Sequence, residues 1–472
     1  MSPHSPLLIR DVELDDGWPA DVLLRDGIVA RIGRGLVADD ARLIEGAGAR
    51  LLPGLHDHHV HLASAAAARA SVSCGPPEVE GRTALAQALA AVGGSGWLRG
   101  VGYHDSVAGM LDRRDLDAMV TDRPLRIQHR TGRMWFFNSA GLDALLATGL
   151  TPPPGLERGP GGWTGRLFDE DRWLRAALAG VPPDLAPIGR DLARRGVTGV
   201  TDMSPANGAE EAAFFAEAHR TGALVQRVTV AGRLDLCDRP LDPAVMRGPF
   251  KLHLHEQHLP DWDATVAGLR RAHDRARAVA IHCVTETELV FALALLREAG
   301  ARRGDRIEHA SVVPGPLIAD MAELGLTVVA QPHFVFERGD AYRRDLAPAE
   351  WPWLYRLESL RAAGIVLAGG SDGPFGTLDP WAAMAAATSR LTRGGQVFGG
   401  DEALSPEAAL RLYLADPQSL DLTRTVACGA AADLCLLDRP WAQARNALSA
   451  GPVRMTIVGG RIVHDRIDQP PI

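Results

Sequence analysis

Short apolar runs broken by turn residues open the chain: LLIRDVEL, ADVLLRDG and IVARIG, all between residues 6 and 54. Runs this short, bounded by Gly and Asp, predict a small all-β region. The other end repeats the style, with ADLCLLD at 432–438 and VRMTIVGGRIVHD at 453–465. The two ends are expected to pair into one composite β-sandwich domain, residues 1–54 with 427–472.

The middle of the chain has a different rhythm. Eight β-branched or apolar runs alternate with Ala/Leu/Arg-rich helical stretches: 51–61, 196–203, 224–232, 250–256, 278–284, 306–311, 326–333 and 365–374. Strands alternating with helices imply a parallel sheet. Eight such units predict an α/β fold, a (β/α)₈ TIM barrel over 55–426, with a doubly wound open sheet as the alternative. One gap is too long for a plain crossover. The stretch of about 63–194 is expected to be an inserted cap over the barrel mouth.

Composition removes some classes of function. The chain has 472 residues and a net charge of −8, which disfavours a nucleic-acid partner. No apolar run is long enough to cross a bilayer, and the N-terminal stretch does not read as a secretory signal. The five cysteines, Cys74, Cys237, Cys283, Cys428 and Cys435, form no CxxC pair. A cytoplasmic setting is expected, with a small-molecule substrate, no membrane partner, and a homodimer left open.

Polar residues then collect where a barrel keeps its chemistry, at the C-terminal ends of strands. The run LLPGLHDHHVHL holds four histidines, His56, His58, His59 and His61. His59 and His61 are two apart and share a face, with Asp57 in the same parity. FKLHLHE puts Lys251, His253 and His255 on one face. His282, His309 and Asp372 stand near the ends of later runs. Neutral imidazole and carboxylate are the ligands that Zn²⁺ takes.

The segments PGLHDHHVHL, GWLRGVGYHDS, FFNSAGL, GVTGVTDM, AIHCVTETEL, DRIEHAS, VVAQPHF and GGSDGPFG resemble the amidohydrolase superfamily of metal-dependent hydrolases. Within it the chain is most similar to the amidohydrolase-3 (YtcJ-like, N-substituted formamide deformylase-like) branch. The resemblance implies a ligand set of His59, His61, Lys251, His282, His309 and Asp372. It implies one or two divalent ions, Zn²⁺ by default, and a Lys251 carboxylated by CO₂ where two ions are bridged. Asp372 would also be the catalytic proton relay. Asp57 is expected to orient an imidazole, since ligating histidines donate their second N–H to an acceptor. His56 and His58 are expected to be structural.

The implied reaction is hydrolysis of a non-peptide C–N bond, amide or cyclic amide, in a small molecule by metal-activated hydroxide. The alternative is a deaminase or a lactone/ester hydrolase on the same scaffold. His255 and His333 are expected at the substrate pocket. Relatives commonly carry a DGH motif where this chain reads TGR. Arg133, beside Trp135, would therefore grip an acidic substrate, or else make an ion pair within the insert.

Overall fold

Eight parallel strands form one sheet in strict chain order. They are β1 (Leu55–Val60), β2 (Val197–Asp202), β3 (Arg227–Gly232), β4 (Val245–His253), β5 (Val279–Cys283), β6 (Arg306–His309), β7 (Thr327–Ala330) and β8 (Val366–Gly369). This is a computed structural model, and it describes residues 5–15, 17–178, 182–238 and 240–466. The order never reverses, which rules out the doubly wound alternative. Every residue of β1 and of β2 is buried, as expected of strands covered on both faces.

The sheet is nearly closed. β1 and β8 share no ladder, but the chain just beyond them fastens the seam. Asp372 donates its backbone N–H to the His59 carbonyl at 2.7 Å, and His61 donates to the Gly373 carbonyl at 2.9 Å. The Asp57 carboxylate accepts from the backbone N–H groups of Ser371 (2.9 Å) and His59 (3.1 Å). Gly370 makes this approach feasible, since a Cβ there would lie 2.5 Å from the His59 Cβ.

Most crossovers are α-helical. Glu286–Ala299 runs between β5 and β6 and begins at a capping box of Thr285 and Glu288. The β3–β4 crossover departs from the expected strand–helix alternation. Among its described residues it holds only a short 3₁₀ turn, Leu234–Cys237. Pro240 and Pro243 follow, and proline disrupts a helix interior.

Both ends of the chain build a seven-stranded sheet. The long strand Arg42–Pro53 pairs with Leu7–Glu13 through its first part and with Leu434–Leu437 through its last. Ile9, Val22, Leu24, Leu434, Leu436, Met455 and Ile457 fill one common core, so residues from both ends pack together.

The chain divides into two compact units, Met1–Leu62 with Leu185–Ile472, and Ala63–Asp184. The helix Ala186–Arg194, expected within the insert, falls in the first unit. It is held there by Gln226, which donates to the Gly189 carbonyl, and by Thr456, which donates to the Ala193 carbonyl. The Ala63–Asp184 unit carries its own six-stranded mixed sheet. Phe136, Ile127 and Leu98 pack on one side of that sheet, and Trp135, Phe137 and Leu167 on the other.

Candidate active site

His59 is the centre of the polar cluster. It is 1% exposed at the end of β1. Its Nε2 lies 3.4 Å from Asp372 Oδ1, and His61 Nε2 lies 3.3 Å from the same oxygen. The ligand atoms of His59, His61 and Asp372 all fall within 4.8 Å of one another, a grouping able to hold a metal ion.

The remaining imidazoles continue as an arc. The His309 ring lies 4.7 Å from His59 and 4.5 Å from His282. His253 follows at 4.2 Å from His282, and His255 at 4.4 Å from His253. Strand register produces this, since His253 is paired with His282, and Cys283 with His309. Burial holds the His59 imidazole down to about 3 against the upward pull of Glu308, and burial followed by the field of His309 holds His282 well below the usual histidine range. Neutral imidazoles are the form that ligates metals.

The ring tautomers are fixed from behind. His59 Nδ1–H donates to the Glu308 carboxylate. His309 Nδ1 bonds to Gln331 Oε1 at 2.8 Å, and His61 Nδ1 pairs with Ser204 Oγ at 3.1 Å. For His59 and His309 this leaves the Nε2 lone pair facing the cluster. Asp57 was expected to orient an imidazole. Its carboxylate instead takes backbone N–H groups across the β1–β8 seam, and Glu308 orients His59.

Glu308 is the residue that sequence reasoning missed. It is fully buried on β6, and Arg306 Nε lies 2.6 Å from its Oε1. Burial pushes its carboxyl up, but Arg306, His59 and Lys251 together hold it well below the usual range. Adjacent residues on a strand normally point to opposite faces. Here Glu308 and His309 both reach His59, because His309 adopts φ +71°. Asp372 is left-handed too, at φ +53°. Such conformations are uncommon for residues other than glycine, and they cluster at functional sites. The signal in the sequence was RIEH, a buried strand carrying both charges.

Lys251 on β4 is 5% exposed, and its Nζ has no hydrogen-bond partner among the described residues. Burial lowers its amine to about 8, while Glu308 pulls the other way. Asp372 is 8% exposed. Burial raises its carboxyl, but the hydrogen bond from His61 and the fields of His309 and His59 hold it far below the usual range. The donor set therefore fits a divalent ion: imidazoles with aimed lone pairs, an ionised carboxylate, and a buried amine in need of a partner.

The other expected site residues have partners of their own. His333 is 1% exposed, and its Nε2–H donates to the Ser371 carbonyl at 3.0 Å, so it props the Asp372 loop from behind. Arg133 is gripped through both nitrogens by Asp169, with Nε to Oδ1 at 2.8 Å, so its fork already holds a carboxylate of the insert. Trp135 is buried in the insert core, its indole N–H donating to Asp171 at 2.9 Å. These two belong to the structural reading, not to an acidic-substrate clamp. His56 pairs with Thr201 at 2.9 Å, and His58 is fully buried against it.

An eight-stranded parallel barrel with an imidazole–carboxylate cluster at its strand ends defines the class of metal-dependent hydrolase scaffolds. The chain belongs to the amidohydrolase family, whose model matches residues 42–464. It is 27% identical to the N-substituted formamide deformylase of Arthrobacter pascens, with 97% of each chain covered. Among solved structures it is similar to a metal-dependent hydrolase from Pyrococcus horikoshii OT3 (TM-score 0.75, 20% identity, 92% of this chain and 98% of the other). It also resembles N-isopropylammelide isopropylaminohydrolase from Burkholderia multivorans (TM-score 0.56, 18% identity, 98% and 99%). At these identities the two structures speak to the fold alone.

Proposed function

We propose that this chain hydrolyses a non-peptide C–N bond, in an amide or cyclic amide of a small molecule. The observation that carries this reading is the convergence of His59, His61 and Asp372 within 4.8 Å at the barrel strand ends. The family membership and the named activity of the formamide deformylase relative support the bond type.

His59, His61 and Asp372, together with His282, His309 and Lys251, would hold one or two divalent ions, Zn²⁺ by default. A divalent ion bound there supplies Lewis acidity, polarising a carbonyl oxygen and acidifying water. Asp372 then acts through its carboxylate, taking a proton from water and returning it to the departing nitrogen. Its ionised state fits the first role. The backbone bond from the Asp372 N–H to the His59 carbonyl fixes the loop that carries this carboxylate.

The deciding experiment is elemental analysis of reconstituted protein, joined to a screen of N-formyl amines, linear amides, hydantoins and lactones. We expect one or two divalent ions per chain and turnover of a C–N substrate. Loss of stoichiometric metal in the wild type would end this reading. A preference for lactones over every amide would move the chain to the ester-hydrolase alternative.

Lys251 is proposed to be carboxylated: the free amine adds to CO₂, the nitrogen gives up one proton to solvent, and the resulting carbamate would serve as an anionic ligand. Its unpartnered Nζ supports this, because a buried amine without a partner is costly. After chelation, activity should return faster when bicarbonate accompanies the metal. Intact mass and density showing only a free amine in metal-replete protein would reject the bridging role.

A further inference from the structure

The insert carries an unusual pairing of like charges. Its strands Leu98–Tyr103 and Leu125–His129 run parallel, and their register sets Arg99 directly beside Arg126. Like charges directly opposite one another destabilise a sheet. Both side chains are half-buried. Neither forms an ion pair with any carboxylate among the described residues. Arg99 donates only to neutral oxygens, Ser71 Oγ at 2.9 Å and Gln128 Oε1 at 3.2 Å. The Nε of Arg126 is buried and has no hydrogen-bond partner among the described residues. Asp171 is the carboxylate whose field reaches Arg99, but it already accepts the indole N–H of Trp135.

Aromatic faces hold the two cations in place. Arg99 and Arg126 lie 5.4 and 5.6 Å from the Trp135 ring, and Arg126 is also 5.7 Å from the Trp97 ring. These contacts offset part of the cost of burial but supply no negative charge. Burial and the charge of Arg126 lower the Arg99 guanidinium to about 10.

Arg99 opens onto a cleft of about 550 Å³. Its lining includes Arg69, Ser71, Trp97, Arg123 and the glycine-rich loop before Trp97. Arg123 is engaged by the carbonyls of that loop, donating to Gly93 at 2.9 Å and Gly94 at 2.8 Å. The cleft thus has three arginines and an indole on its wall, and no acidic side chain. The volume suits a small organic molecule.

We propose that this cleft is a binding site for a small organic oxyanion, a carboxylate or phosphate carried on an apolar body. The anion would sit at Arg99 and relieve its repulsion with Arg126, while the apolar body lies along Trp97. A planar guanidinium fork matches either oxyanion through paired hydrogen bonds. The site is built wholly from the insert and does not depend on the proposed hydrolysis.

The test is calorimetric titration of the full chain at low ionic strength with inorganic phosphate, phenyl phosphate and benzoate. Saturable binding of phenyl phosphate or benzoate, tighter than that of inorganic phosphate, is expected. Whichever of the two binds more tightly identifies the anion. Arg99→Gln should weaken binding about tenfold or more, the loss of a charge-assisted contact. Arg99→Lys should weaken it less, and it stands in if the glutamine variant fails to fold. Without ligand, Arg126→Gln should melt at or above the wild-type temperature, because it removes the repulsion. With phenyl phosphate it should gain less than the wild type. Absence of saturable binding by all three probes would overturn the proposal. So would binding unchanged in both Arg99 variants, which would place the anion at the barrel site instead.

Discussion

Asp372→Asn lowers turnover by about two orders of magnitude or more on any true substrate, the scale of removing a positioned general base. The change is close to isosteric, so the fold should hold. Asparagine tolerates the left-handed backbone that position 372 requires, at φ +53°. The backbone bond to the His59 carbonyl is untouched, and an amide oxygen still faces His59 and His61. Only the negative charge and its basicity are lost. Metal content should therefore fall less than turnover, and the melting temperature less still. Measuring kcat, bound metal and thermal melting on the same preparation separates the three. Near-normal turnover would show that another group moves the proton.

The second large effect is expected at Glu308. Glu308→Gln keeps the shape and can still accept from His59 Nδ1, but it strips the counter-charge from Arg306. Arg306 is 3% exposed, and Glu308 is the carboxylate it pairs with. Leaving a buried charge unpaired costs about 3–5 kcal/mol. Weaker support behind a ligating histidine costs metal affinity by about 10–100-fold. The two losses can be told apart. In Arg306→Met with Glu308→Gln, both charges leave together, so stability should largely return while metal affinity stays low. Chemical unfolding and competitive chelator titration read the two quantities. If the double variant regains full metal affinity, Glu308 serves only to neutralise Arg306.

Much of this site was legible because barrel strands announce themselves. Runs such as VTGVTD and VAIHC are apolar and β-branched, and their polar residues stand out at the ends, where a barrel keeps its chemistry. That logic finds His59, His61, His282, His309 and Asp372. It fails at Glu308, because alternation assigns neighbours 308 and 309 to opposite faces. The positive φ at His309 cancels that rule, and backbone torsion is not written in a hydropathy pattern. It fails differently at Arg133. A guanidinium beside a tryptophan looks like a ligand clamp until Asp169 is seen to fill it, 36 residues downstream. At His333 the partner is a backbone carbonyl, that of Ser371, which no side-chain motif reveals.

The seam between β1 and β8 carries one more consequence, for the order of events during synthesis. His59 and Asp372 sit at opposite edges of the sheet and far apart in the chain, yet they meet directly. A nascent chain that has emerged only as far as β7 possesses the histidines but not the carboxylate. Contacts of such long range carry a large loop-closure cost and form late. The donor triple is thus completed by the act that shuts the ring, and an unfinished chain holds imidazoles without the carboxylate that completes their cluster.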